Sequence, residues 1–271
     1  MVRIETADDP RLEPYRSVRE RDLAGRDGLY IAEGRVVLEK AIAADPGAVV
    51  SVLIAAQRAD ALARVLAGLP EATPVYAAGQ EAMDQVVGFP IHRGILALVR
   101  RPVRSADAVI AGLPACALVV GLVGVANHDN MGGIFRNAAA FGADAVLLDD
   151  TCCDPLYRKA IRVSVGAALT VPFARAGSAA AMAARLAAAG FDLAALSPRG
   201  EVELDGLRLG ARAAILLGAE GPGLPDAILR RAKTVRIAMA GGFDSLNVAT
   251  TSGIVFHHLA ALRQAGLSTR D

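Results

Sequence analysis

The sequence predicts an α/β protein built on a mostly parallel sheet, and three observations predict it. Short apolar runs alternate with helical stretches along most of the chain. The C-terminal runs, such as ALVVGLVGV at 117–125, are continuous rather than alternating, as strands covered on both faces are. Three of them end in polar, glycine-bearing loops, at 127–136, 218–224 and 241–248. Parallel sheets build ligand sites from such loops at the carboxyl ends of strands, so the C-terminal half is expected to bind a cofactor or catalyse a reaction.

In the first half the expected strands are 29–33, 49–56, 74–78 and 94–99, with helices at about 34–44, 59–67 and 80–87. The stretch RRPVRSADAVIAGLP, 100–114, carries three arginines and two prolines and leaves the strand pattern. A boundary is placed there, giving domains at 1–103 and 116–271 joined by a linker at 104–115. The second half continues with strand 117–124, helix 131–141, strand 144–149, helix about 155–166 and strand 168–173. Helix 178–189, strands 191–196 and 213–218, helix 225–232, strand 234–239 and a last helix at 245–264 complete it.

Composition narrows the function. With 271 residues there is room for two ordinary domains. Hydrophobic residues at 54% against 21% charged argue for packed cores, not disorder. A net charge of +1 means that any bound RNA must meet local positive charge; DNA is not expected. Aromatic content of 4% with no tryptophan leaves little for a base-stacking platform. No apolar run is long enough to span a bilayer, and MVRIETADDPRLEPY lacks a signal-peptide core, so a cytoplasmic protein is expected. Cys116, Cys152 and Cys153 have no metal-ligand spacing and read as reduced thiols; no metal is expected.

The three loops carry the candidate chemistry. In the first, Asn130 is the expected N-cap of the following helix, Gly132 and Gly133 allow close approach to the backbone, and Arg136 lies six residues further on, where it need not share a face with Asn130 but can lean back toward the helix start. The second, Gly218-Ala219-Glu220-Gly221-Pro222-Gly223-Leu224, leaves backbone groups open to a ligand. It lacks both the phosphate-loop ending and the dinucleotide fingerprint, which disfavours a nicotinamide dehydrogenase. The third, IAMAGGFDSLNVATTSGI at 237–254, crowds Ser245, Asn247, Thr250 and Thr251 at the start of an apolar helix, beyond what a cap requires. His128 reads as an incidental loop residue, and His257–His258 have no metal-ligand partners.

Together the motifs N-x-G-x-x-x-R at Asn130–Arg136, L-G-A-E-G-P-G-L at 217–224 and I-x-M-x-G-x-x-x-S-L-N-V at 237–248 resemble the SpoU (TrmH-like) family of RNA 2′-O-ribose methyltransferases, in the SPOUT class. The resemblance covers 116–265, including DPLYRKAIRVSVGA at 154–167. The first half resembles the small L30e-like α/β domain that binds RNA substrate in many members, through RSVRERDLAGRDGLYIAEG at 16–34 and FPIHRGILAL at 89–98. The resemblance implies a C-terminal domain tied in a trefoil knot, an exception to the unknotted rule, and a homodimer with its active site near the dimer interface. It implies S-adenosyl-L-methionine as cofactor, contacted near Gly218, Ala219, Ile237, Met239 and Leu246. Ala219 and Ala238 depart from the residues common in the family, at positions where the backbone dominates.

The same resemblance makes Arg136 the central catalytic residue. A guanidinium stays protonated at neutral pH, so Arg136 is read as a clamp on phosphate and ribose oxygen, not as a base. Asn130, Glu220, Ser245 and Asn247 are expected to orient it and the nucleotide, with Glu220 a candidate ion-pair partner of Arg136. Arg158, Lys159 and Arg162, at helical spacing, are the expected tRNA or rRNA contacts, ahead of Arg16, Arg19, Arg21 and Arg26 and of Arg100, Arg101 and Arg104. The competing reading is a catalytically silent RNA-binding scaffold, which substitution of Arg136, Glu220, Ser245 and Asn247 would favour.

Overall fold

The valine-, leucine- and alanine-rich runs of the second half become seven parallel strands. The computed structural model describes residues 1–16, 28–241, 243 and 245–264, so Arg19, Arg21 and Arg26 lie outside the described residues. The chain divides into two units: Met1–Pro102 with Leu156–Thr170, and Val103–Pro155 with Val171 onward.

In the first unit, β1 (Val2–Ile4), β2 (Leu29–Glu33), β3 (Val49–Ala55), β4 (Val75–Ala78) and β5 (Ile95–Arg100) form one sheet in the order β1-β4-β3-β5-β2. β1, β4 and β3 run parallel, and β5 is antiparallel to both its neighbours. Helices α1 (Arg35–Ala44), α2 (Ala59–Leu66) and α3 (Gln80–Val87) connect them. Leu12, Tyr15, Leu53, Met83 and Leu96 share the core. There the Tyr15 hydroxyl meets Ser51 Oγ at 2.6 Å, as a buried phenol must find a partner.

The second unit begins with α4 (Ala106–Ala111) and continues through β6 (Ala117–Val123), α5 (His128–Ala140), β7 (Ala145–Leu148) and β8 (Phe173–Arg175). Between β7 and β8 the chain lends the first unit α6 (Arg158–Val163) and the short α7 (Ala167–Thr170). Then come α8 (Ala179–Ala188), β9 (Asp192–Leu196), β10 (Val202–Glu203), β11 (Arg212–Gly218), α9 (Asp226–Leu229), β12 (Lys233–Arg236) and α10 (Val248–Gln264). The strand order is β10-β12-β9-β11-β6-β7-β8, every pair parallel.

The differences from expectation have local causes. The segment expected as a linker at 104–115 contains α4: Ser105 Oγ accepts the Ala108 N–H, and Ala106, Val109 and Ile110, at helical spacing, sink into the second core. Residues 168–170, expected in a strand, are helical, because a short apolar run does not by itself separate strand from helix. The expected uninterrupted domain from 116 is broken, since 156–170 pack with the first unit. α10 starts at Val248 rather than 245, because Asn247 caps it and leaves Ser245 and Leu246 outside. Among the described residues no helix is long and apolar enough to cross a membrane, and no cluster has the makings of a metal site.

Candidate active site

β12, β9 and β11 lie side by side, so the loops leaving their carboxyl ends converge. They enclose a cavity of about 440 Å³, within the range of small-molecule sites. Gly218, Ala219, Ile237, Met239 and Leu246, the expected cofactor contacts, all line it, as do Glu220, Ser245 and Asn247. Leu196, Ser197 and Pro198 complete the wall after β9; the sequence reading missed them, and only Ser-Pro directly behind a strand signals them.

The wall is built from backbone brought close together. A Cβ on Gly218 would lie 2.4 Å from the carbonyl carbon of Gly223 and 2.5 Å from the nitrogen of Leu224, so no side chain fits. Gly221 and Gly223 adopt φ of +87° and +69°, conformations that L side chains rarely take. β12 ends at Arg236, so Ile237 and Met239 are off the ladder where they line the cavity.

Asn247 ties the three loops together. Its Oδ1 accepts the N–H groups of Ala249 (2.9 Å) and Thr250 (3.1 Å), capping α10. Its Nδ2 donates to Asn130 Oδ1 and Glu220 Oε1, each at 2.8 Å. Four hydrogen bonds therefore fix which way the amide points. Asn130 is not the N-cap of α5: Asn127 is, accepting the N–H groups of Asp129 and Asn130. Asn130 sits inside the first turn, buried, where it can meet Asn247.

Glu220 takes its hydrogen bond from Asn247 rather than from Arg136. Arg136 lies on the exposed side of α5, and no hydrogen bond or ion pair joins it to another described residue. Asn130 and Arg136 are not part of the cavity lining. Gly133 serves helix packing: a Cβ on it would lie 2.7 Å from the Ala249 Cβ, so α5 and α10 touch there.

The expected RNA contacts are divided. Arg158 donates to the buried Glu33 carboxylate at 3.2 Å and lies over the Phe89 ring, 4.6 Å from its centroid, which makes it packing within the first unit. Lys159 and Arg162 are exposed. Two arginines the sequence reading passed over lie on left-handed glycines at one end of the first sheet. The Arg93 side chain crosses Gly34 (φ +92°), and that of Arg58 crosses Gly94 (φ +60°) while donating to the His92 carbonyl at 3.3 Å. Both are exposed, and neither is ion-paired with a described residue.

Cys152 and Cys153 are not poised for thiolate chemistry. Burial pushes the Cys152 thiol up to about 12 and that of Cys153 to about 11, far from the thiolate form a redox role requires. His257 packs edge-on to Phe141.

Fold and cavity define the class: a parallel α/β sheet whose ligand crevice opens at its carboxyl edge. Residues 117–257 match the family model of the SpoU rRNA methylase family. An uncharacterized tRNA/rRNA methyltransferase of Mycobacterium bovis is 42% identical over 262 residues, covering 92% of this chain and 88% of its own. The counterpart in Mycobacterium tuberculosis is equally similar. A solved RNA 2′-O ribose methyltransferase superposes with a TM-score of 0.80 at 26% identity, covering 97% of this chain and 99% of its own. An AdoMet-bound rRNA methyltransferase from Sinorhizobium meliloti reaches 0.82 at 21% identity, with 97% of each chain covered. The chain belongs to the SpoU rRNA methylase family, whose members use S-adenosylmethionine.

Proposed function

We propose that this protein transfers a methyl group from S-adenosyl-L-methionine to a ribose 2′-hydroxyl of tRNA or rRNA. The observation that carries the reading is the cavity: residues of the second and third family motifs line it, and Asn247 joins it to the first. Its wall suits the cofactor. Gly218, Ala219, Ile237 and Met239 would present backbone to the adenine and ribose edges, and Leu246 an apolar face. When bound, the cofactor supplies an electrophilic methyl on a sulfonium.

The chain's own residues do the rest. Arg136, charged and free of protein partners among the described residues, grips the phosphate and ribose oxygen of the target nucleotide. Positioning supplies much of the acceleration in such a transfer. The hydroxyl proton leaves to that phosphate or to water, since a guanidinium does not accept it. Asn130, Asn247 and Glu220 act as one hydrogen-bonded unit that holds the three loops in register, and Ser245 faces the cavity beside them.

RNA is held by local charge in the first unit, which we read as an L30e-like domain: Arg58 and Arg93, together with exposed Lys159 and Arg162. The second unit is read as a trefoil knot. One close approach of segments 35 residues apart supports this: a Cβ on Gly200 would lie 2.3 Å from the Val235 carbonyl carbon. A homodimer through the second unit, in the cytoplasm, fits the family.

Arg136→Ala tests the reading. Transfer of labelled methyl to unmodified RNA should fall at least about a hundredfold, while calorimetric affinity for S-adenosylmethionine stays unchanged. Label should appear in nuclease-resistant dinucleotides; label on bases alone, or full activity in the variant, would remove the 2′-O assignment. A wild-type protein that binds cofactor and RNA but transfers nothing would favour the silent scaffold.

A further inference from the structure

A buried carboxylate that the mechanism does not use stands directly behind the cofactor wall. Asp149, 5% exposed, follows β7 at the carboxyl edge of the sheet. Its Oδ1 accepts the N–H groups of Gly124 (3.1 Å), Thr151 (3.1 Å) and Cys152 (3.0 Å), and the Thr151 hydroxyl at 2.9 Å. One side chain thus ties the end of β6 to the loop after β7. Arg175, at the end of β8, clamps the same loop through the carbonyls of Asp149 and Cys152, each at 3.0 Å.

Gly124 carries the consequence forward. It adopts φ +68°, and a Cβ built on it would lie 3.2 Å from the Cβ of Ala219, in the cavity wall. Gly124 is also three residues before Asn127, which caps α5 and so places Asn130 against Asn247. The strand end that Asp149 holds is therefore the back support of the Ala219 loop and the anchor of the helix carrying Asn130 and Arg136.

We propose that Asp149 is a positioning residue for methyl transfer: through Gly124 it sets where the Ala219 loop and the start of α5 stand. The inference rests on the methyltransferase reading above. Carboxylates buried for packing alone need only satisfy their own oxygens; this one gathers donors from the end of β6, next to β11 in the sheet, and from the loop after β7.

The test measures S-adenosylmethionine affinity by calorimetry and steady-state kinetics on RNA, at a temperature where every variant is folded. Asp149→Ala should weaken cofactor binding and lower kcat, each about tenfold, with KM for RNA unmoved. Asp149→Asn, which keeps Oδ1 as acceptor, should stay within about twofold of wild type. A fall in melting temperature with unchanged cofactor affinity and kcat would reduce Asp149 to a structural role and overturn the proposal; so would an asparagine variant as impaired as alanine. If Asp149→Ala does not fold, Gly124→Ala takes its place, driving a Cβ onto Ala219. Cofactor affinity should drop and recover in part in the double variant with Ala219→Gly; no recovery would mean that the contact transmits nothing. A wild-type protein that binds no cofactor would instead sink the function proposed above.

Discussion

Asn247 shows why one residue type is required at one place. A helix cap needs only an oxygen, which serine, threonine or aspartate supplies equally well. Here the same side chain must also donate twice, to Asn130 and to Glu220. Aspartate would keep the cap and set a second carboxylate against Glu220; serine would keep the cap without the amide. Both substitutions, Asn247→Asp and Asn247→Ser, should leave the helical signal intact and lower methyl transfer about tenfold or more. Aspartate should be the more damaging, by about 1 kcal/mol of added repulsion in thermal melts. If the two variants performed like wild type, the link between loops would have no catalytic weight.

At the scale of elements, the packing of α5 on α10 sets where two of the three motif loops meet. Small residues allow it: Gly133 faces Ala249, and Asn137 Nδ2 donates to the Ala249 carbonyl (2.8 Å) and to Ser252 Oγ (2.9 Å). Two effects compete in Gly133→Ala. Helix propensity favours alanine by about 1 kcal/mol, whereas overpacking against a Cβ 2.7 Å away costs about 1–3 kcal/mol. An Ala249 methyl cannot swing aside, so packing should win and the melting temperature should fall by a few degrees, with recovery in Gly133→Ala/Ala249→Gly. A more stable single variant would show that the helices separate freely.

At the scale of the molecule, the chain lends 156–170 from its second half to the first unit. Lys40 Nζ donates to the Val165 carbonyl at 2.7 Å, and Arg158 pairs with Glu33. Arg158→Ala strands a buried carboxylate, at a cost of about 1–3 kcal/mol, and should lower the melting temperature by about 2–4 °C for each of those kcal/mol. Arg58→Ala/Arg93→Ala should do the reverse: no thermal effect, and RNA affinity about tenfold weaker with a shallower salt dependence, as lost phosphate contacts require. An RNA defect without a thermal one in Arg158→Ala would return that residue to the RNA surface.

By itself the sequence determined the alternation of strands and helices and marked two of the loops that line the cavity. Hydrophobic periodicity and glycine-bearing turns are local properties, readable in a window of a dozen residues. Hence 29–33 and 80–87 are element for element as expected, and 117–123 differs by one residue. Only the tertiary structure decided that the loops after β9, β11 and β12 share one cavity, that Asn247 reaches Asn130 across 117 residues, and that Arg158 serves Glu33. It also showed Glu220 held by Asn247 instead of Arg136, and Asp149 behind the wall. Strand order and side-chain partnership depend on contacts between distant segments, and no local pattern encodes which distant segment will be the neighbour.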